Sequence, residues 1–251
     1  MMKSILAVIF FFCLSTEVLA EVDFSTMIPE KIPSHVQSIE KENTVEQASR
    51  DLVVVEPADL TKKWLDGTDL AITNPYLIEQ LNKTEVNQSI FAFGYSSEVY
   101  LGRWPLSYQS AESSVNWAYQ KINDNFVAPG KPTYLQGEDR LISGGIQNKV
   151  SNSEQVQNMI LANAKERIHW PIDFEANFGA NTKKVLSLGN ESGADQLQAY
   201  AAAVKETGKI TYGEVYLTMT GRKQALKINN IVEEELTTWL PVQNHLAFHL
   251  K

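Results

Sequence analysis

The sequence contains a single cysteine, Cys13, among 251 residues. It lies in an N-terminal segment that we expect to be removed, as argued below. Small secreted domains usually depend on disulfides because they cannot bury enough apolar surface without them. A chain of this length can, since a domain of roughly 150 to 300 residues buries about 70 to 75% of its unfolded surface. A mature chain without cysteine excludes disulfide cross-links, thiol catalysis and thiolate metal sites.

Positive charge is also in short supply. Lysine and arginine number 22 against 30 aspartates and glutamates, which gives a formal net charge of −8 at pH 7. An acidic protein is repelled by nucleic acid and by anionic lipids or wall polymers. We therefore expect no nucleic-acid partner.

No apolar run is long enough to span a membrane. A bilayer-crossing helix needs about 20 apolar residues, and the longest run, Ile5–Leu14, is half that length. Lys3 precedes this run and Ala20 ends the segment with a small residue, a layout typical of a secretory signal peptide. We expect residues 1–20 to be cleaved after Ala20 and the mature chain to be secreted or extracytoplasmic, without a transmembrane segment. The alternative is an uncleaved N-terminal anchor.

The remainder divides into two parts. Residues 21–50 are polar and carry two prolines, which predicts an extended lead-in that can be mobile. Residues 51–251 contain no linker-like segment and predict a single globular domain. A first short helix is expected from Pro57 to Gly67, and a second after Asn74, an N-cap residue, with Pro75 at its first position.

Beyond these helices the pattern is mainly that of β-strands. Val115, Trp117 and Tyr119 share one face of a period-two run, and similar alternation recurs in other segments. These segments are 91–101, 172–178, 209–220 and 246–250. One longer mid-chain helix is predicted after a capping box formed by Ser151 and Glu154. The fold class is therefore predicted to be α+β, dominated by antiparallel strands, with a few short helices and one longer helix.

Two pairs of side chains could suggest catalysis or metal binding. His245 and His249 would lie about 6 Å apart along a helix axis but about 13 Å apart on a strand. The alternating residues around them favour a strand, which is too long for one metal ion. Asp173 and Glu175 are predicted on one face of a strand, where a glycosidase-like carboxylate pair is geometrically possible. A solvated outer face explains that pair more simply, so no catalytic, cofactor-binding or metal site is predicted.

The densest aromatic region is the candidate binding site. Arg103, Trp104, Tyr108 and Trp117 belong to it, and the segment from Arg103 to Tyr108 is predicted to join two strands, where functional loops often lie. Exposed aromatic side chains could stack on sugar rings or anchor a peptide. The simpler alternative is burial in the core, where aromatic residues contribute most.

Several longer segments resemble one protein family. The chain is similar to the YfkD-like proteins of Bacillus-type bacteria from about Ile39 to its C-terminus. The segments that carry the resemblance are Tyr100–Tyr108, Ser114–Asn123, Thr211–Tyr216 and Trp239–Gln243. The resemblance implies an exported protein of a Gram-positive cell, and it supplies no catalytic or binding residue.

These observations leave three functional hypotheses. The first is a soluble, non-catalytic exported protein that binds a partner in or beyond the cell envelope. The second is a hydrolase of envelope glycans or peptides that uses Asp173 and Glu175. The third is a structural component of a coat or wall layer. The sequence indicates no cofactor for any of them.

Overall fold

Antiparallel strands form most of the molecule. The computed structural model describes residues 28–29, 31–84, 96–126, 131–187 and 195–251. The strands in these ranges are β1 Val36–Ser38, β2 Ser96–Phe126, β3 Thr133–Leu135, β4 Arg140–Ser143, β5 Gly145–Ile146, β6 Glu175–Phe178, β7 Lys183–Val185, β8 Gln196–Thr220 and β9 Lys223–Leu250. The helices are α1 Asp59–Asp66, α2 Pro75–Asn82 and α3 Ser153–Arg167.

Three long strands organise the main sheet. Its strand order is β1-β9-β8-β2, and β5 also pairs with β9. Two small sheets, β3 with β7 and β4 with β6, complete the strand pairing among the described residues. Every pairing is antiparallel. The prediction of a chain that is mainly antiparallel β with helices is therefore confirmed.

The length of these strands depends on bulges and one tight turn. β2 and β8 pair from Ser96–Thr220 to Phe126–Gln196 with five register shifts between them. Each extra residue in a strand bends it and increases its twist, so strands this long can curve around a core. β8 and β9 form a hairpin in which Gly221 has φ +59°. This conformation suits the primed two-residue turns that match strand twist.

Helices and small strands cover the sheet with separate apolar clusters. Helices α1 and α2 pack on the ends of β8 and β9 through Trp64, Leu77, Leu81, Leu217 and Leu226. Helix α3 packs on the middle of the sheet through Val156, Met159, Ile160, Leu161, Val204, Ile210 and Tyr212. Residues Ile39, Tyr134, Phe178 and Phe248 fill the opposite end. The sheet centre is therefore covered by α3 on one face.

The ends of helices α1 and α2 lie close to the positions predicted from the sequence. Asn74 caps α2, because its side-chain oxygen accepts a hydrogen bond of 3.0 Å from the Tyr76 amide, and Pro75 occupies the first turn. Helix α1 begins at Asp59 rather than at Pro57, and Gly67 ends it as predicted. The start differs because Ala58 already has the extended backbone of an N-cap residue.

The predicted capping box of the mid-chain helix does not form. Helix α3 begins at Ser153 after Asn152, which has φ 54° and makes no side-chain capping bond. Ser151 is used differently, since its carbonyl oxygen accepts a 2.8 Å hydrogen bond from the Tyr212 hydroxyl. A tertiary contact to the sheet thus replaces the local cap that Ser151 and Glu154 suggested.

The described part of the predicted lead-in is attached to the sheet. β1 pairs with β9 through Val36–Ala247, and Ile39 is fully buried with its amide donating to the Asn244 carbonyl at 2.8 Å. The predicted leader, residues 1–20, and the predicted strand segment at Phe91–Tyr95 lie outside the described residues. None of the helices in the described ranges combines the length and apolar character of a membrane span.

Candidate functional site

The predicted binding segment is part of one continuous strand and does not join two. Arg103 to Tyr108 lie within β2, where Pro105 is paired opposite Tyr212 of β8. Proline lacks a backbone N–H and is tolerated on edge strands, and β2 is the edge of the main sheet. Arg103 is exposed, with its guanidinium 5.5 Å from the centre of the Tyr212 ring.

The two predicted tryptophans lie in different surroundings. Trp104 is half-buried beside the α1–α2 cluster, and its Nε1 donates a 2.9 Å hydrogen bond to the Leu101 carbonyl. Trp117 is half-buried against Trp170, with ring centres 5.2 Å apart. The structure therefore does not bring the four predicted residues onto one surface. Their role in binding stays a prediction.

Tyr108 instead leads to a buried polar network. It is 8% exposed, and its hydroxyl lies 3.4 Å from Oε1 of Glu206, too far for a strong hydrogen bond. Burial, followed by the negative charge of Glu206, raises the pKa of Tyr108 well above its usual range. The Tyr108 phenol therefore stays protonated, and its O–H faces the Glu206 carboxylate.

Glu206 is the centre of this network. Its side chain is fully buried in β8 and accepts hydrogen bonds from Ser110 at Oε1 and from Ser113 at Oε2, each 2.5 Å long. Arg167, the last residue of α3, forms a salt bridge with Oε1 and also donates to Ser113 Oγ at 3.0 Å. Asn163, one turn earlier, accepts from Arg167 Nε at 3.2 Å. The carboxylate thus links β8, β2 and α3.

The network is built to hold structure together. Both oxygens of Glu206 already have donors, so the carboxylate has little remaining capacity to accept a hydrogen bond from a ligand. Arg167 also lies at the C-terminus of α3, where positive charge is favourable to the helix dipole. Sequence reasoning missed this group, although one signal exists. Ala202, Val204 and Ile210 share a buried strand face, and Glu206 is the carboxylate in that apolar series.

A polar groove lies on the face of the main sheet opposite α3. It has a volume of about 310 Å³. Its polar side chains come from the middle of β8 and β9 and from the segment after β5, and Gly208 contributes backbone to it. These side chains are Asn148, Thr207, Lys209, Glu235 and Thr237. Thr207 pairs with Thr237 and Lys209 with Glu235 across β8 and β9, so hydroxyls, an ammonium and a carboxylate lie side by side.

Gly208 connects the groove to the buried network. A Cβ atom at this position would lie 2.5 Å from both the Tyr108 hydroxyl and the Gln109 carbonyl oxygen. Glycine therefore lets the Tyr108 ring lie across β8 and reach Glu206. Because strand side chains alternate between faces, Thr207 and Lys209 point away from that network, toward the groove.

The alternative carboxylate pair is not assembled. Asp173 precedes β6 and is 3% exposed, whereas Glu175 begins the strand and is exposed. Asp173 forms a salt bridge of 3.3 Å with Lys165 and accepts a hydrogen bond of 3.1 Å from the Arg50 backbone amide. The prediction that both lie on one face of a strand is wrong, because the chain enters β6 only after Asp173 has turned toward α3.

The two C-terminal histidines lie on a strand, as predicted. His245 and His249 both belong to β9. The His249 ring packs 5.2 Å from His35 and 5.4 Å from Tyr200, centre to centre. Burial, followed by the neighbouring His35, lowers the pKa of His249. Within the described ranges, no three His, Cys, Asp or Glu side chains come together as metal ligands would.

Comparison with known proteins identifies relatives of the chain. Residues 33–251 match the family of YfkD-like proteins. The chain is 39% identical over 226 residues to the uncharacterized protein YfkD of Bacillus subtilis (strain 168). This alignment covers 87% of this chain and 85% of that protein. No solved structure matches. The chain belongs to the YfkD-like family.

Proposed function

We propose that the chain is an exported binding protein that acts in or beyond the cell envelope, with the polar groove as its contact surface. Residues 1–20 supply the charged start, short apolar core and small-residue exit that favour export. A cysteine-free mature chain suits such a compartment, since it has no thiol to oxidise.

The polar groups of the groove support the proposed binding role. Lys209 and Asn148 offer hydrogen-bond donors, and Glu235 offers acceptors. The Thr237 hydroxyl offers both, whereas the Thr207 hydroxyl donates to the Glu112 carbonyl at 3.3 Å and offers an acceptor. The strand backbone beneath them is paired on both sides of β8. A ligand would therefore meet prearranged polar groups, which reduces the ordering cost of binding.

Export predicts a defined N-terminus outside the cytoplasm. When the full chain is expressed in Bacillus subtilis, we expect the extracytoplasmic fraction to contain a protein that begins at Glu21, because the cleavage site follows Ala20. Fractionation followed by N-terminal mass spectrometry measures this. As a control, a variant with Ala20→Arg should be cleaved poorly. Recovery of the uncut chain in the cytoplasm would contradict the proposed export.

Binding through the groove predicts sensitivity to charge at Lys209. The side chain of Lys209 is 49% exposed and 3.5 Å from Glu233, so Lys209→Glu changes the groove without opening the core. We expect this variant to bind isolated Bacillus envelopes about fivefold more weakly or worse, a loss of about 1 kcal/mol. Co-sedimentation of purified protein with the envelopes measures the affinity.

A matched control is available on β7. Lys183 is exposed, and Lys183→Glu makes the same charge change away from the groove. This variant should bind as the wild type does. Equal weakening by both substitutions would show a general effect of net charge and would remove the groove from the proposed function.

A further inference from the structure

One end of the main sheet exposes two tyrosines side by side. Here the start of β2, the end of β8 and the start of β9 form three adjacent strands, and Tyr100 pairs directly with Tyr216. Their ring centres are 4.9 Å apart with an angle of 38° between the planes. The two tyrosines occupy the same place in a repeated tetrapeptide, Glu-Val-Tyr-Leu, at 98–101 and 214–217. The repeat therefore places equivalent residues in contact on neighbouring strands.

These tyrosines are not needed for the core. Side chains alternate between the two faces of a strand, and the opposite face of the same strands already packs on α1 and α2 through Leu217 and Leu226. Tyr100 remains 54% exposed. A large aromatic ring is thus held in solvent on a face that has no helix over it among the described residues.

Polar neighbours hold Tyr216 in place. The Tyr216 hydroxyl donates to Glu214 at 3.0 Å, and Asn230 donates to the same carboxylate oxygen at 2.8 Å. Lys227 lies 6.0 Å from the centre of the Tyr216 ring and 3.1 Å from a Glu98 oxygen. We call this surface the tyrosine face; it consists of Glu98, Tyr100, Glu214, Tyr216, Lys227 and Asn230.

We propose that the tyrosine face binds an uncharged oligosaccharide, with Tyr100 as the ring on which one sugar stacks. A pyranose presents an apolar C–H face with a rim of hydroxyls that both donate and accept hydrogen bonds. The electron-rich face of an aromatic ring attracts such C–H groups. The carboxylates around Tyr100 accept hydrogen bonds, and Lys227 and Asn230 donate them. Lys227 covers part of Tyr216, so Tyr100 provides the open ring.

Size and charge favour this ligand over others. Two tyrosine side chains offer at most about 500 Å², whereas a stable protein interface needs roughly 800 Å² on each partner. Two carboxylates against one ammonium disfavour a polyanion such as nucleic acid. The tyrosine face goes beyond the proposed function, since neither export nor the groove is needed for it to bind a sugar.

The test uses purified protein and two defined probes, the β-1,4-linked pentamers of glucose and of N-acetylglucosamine. We expect the wild type to bind at least one of them in isothermal titration calorimetry. Tyr100→Leu should weaken that binding about tenfold or more, because it removes the stacking ring. Tyr100→Phe keeps the ring and should bind within about twofold of the wild type.

Phe126→Ala is the matched control, because it removes an exposed aromatic residue (88% exposed) from the other end of β2. It should bind as the wild type does, and circular dichroism should show all variants folded. Failure of the wild type to bind either pentamer would overturn the proposal, as would unchanged affinity in Tyr100→Leu. A dimer that Tyr100→Leu dissociates, without sugar binding, would instead identify a self-association surface. None of these outcomes would affect the proposed export.

Discussion

Replacing Glu206 with alanine should lower the free energy of unfolding by about 3–4 kcal/mol, the lower part of the usual cost of breaking a buried ion pair, because the Arg167 side chain that remains is 35% exposed and partly solvated. The carboxylate is fully buried, and it accepts from Ser110, Ser113 and Arg167. Its loss leaves the buried Ser113 hydroxyl without that acceptor and the guanidinium without its counter-charge. Urea unfolding followed by circular dichroism measures the change.

Two further variants separate this network from a general loss of charge. Glu112→Ala removes an exposed glutamate on β2 and should change stability by about 0.5 kcal/mol or less. The double variant Glu206→Leu with Arg167→Met should lose less stability than Glu206→Ala, because no charge is left without its partner. A loss below about 1 kcal/mol in Glu206→Ala would mean that the network does not hold α3 on the sheet.

Gly208→Ala should be the second most damaging change, with a loss of about 3 kcal/mol, at the upper end of the usual cost of overpacking. The new Cβ would lie 2.5 Å from the Gln109 carbonyl oxygen and 2.6 Å from Cε2 of Tyr108. A backbone carbonyl in a paired strand cannot move away as a flexible side chain could. The midpoint of thermal unfolding, with calorimetry for the enthalpy, measures the effect.

Gly137→Ala provides the control for this prediction. A Cβ atom at Gly137 would meet nothing within 4 Å, so stability should change by about 0.5 kcal/mol or less. Adding Tyr108→Ala to Gly208→Ala should not restore stability, since the Gln109 carbonyl remains in the way. Wild-type stability in Gly208→Ala would show that β2 and β8 can separate locally at no cost.

Local patterns in the sequence predicted most of the local structure, although the capping box expected from Ser151 and Glu154 did not form. The Asn74–Pro75 pair predicted α2 because capping and proline preferences depend on neighbouring residues alone. The alternation through Trp117 predicted a strand because the side-chain period is a local property. Strand length could not be predicted in this way. Bulges break the period without ending the pairing, so β2 reads as several short strands, and Pro105 looks like a loop residue.

The candidate sites could not be predicted from the sequence, because they depend on contacts between distant segments. Glu206 meets Ser110 and Arg167 only when three distant elements pack together, and no spacing along the chain encodes that meeting. Tyr108 was selected as an aromatic residue near other aromatics, yet its surroundings depend on Gly208. The groove likewise arises from cross-strand register, which places Thr207 beside Thr237.

The order of the long strands has a consequence for how the chain acquires its structure. β2 lies at the edge of the sheet and pairs with β8, which follows only after residues 127–195. During synthesis β2 therefore emerges well before its partner exists, and pairings between distant segments form slowly because a long loop must close first. Under the proposed export, this delay would keep the newly made polypeptide unfolded while it is threaded through a translocation channel.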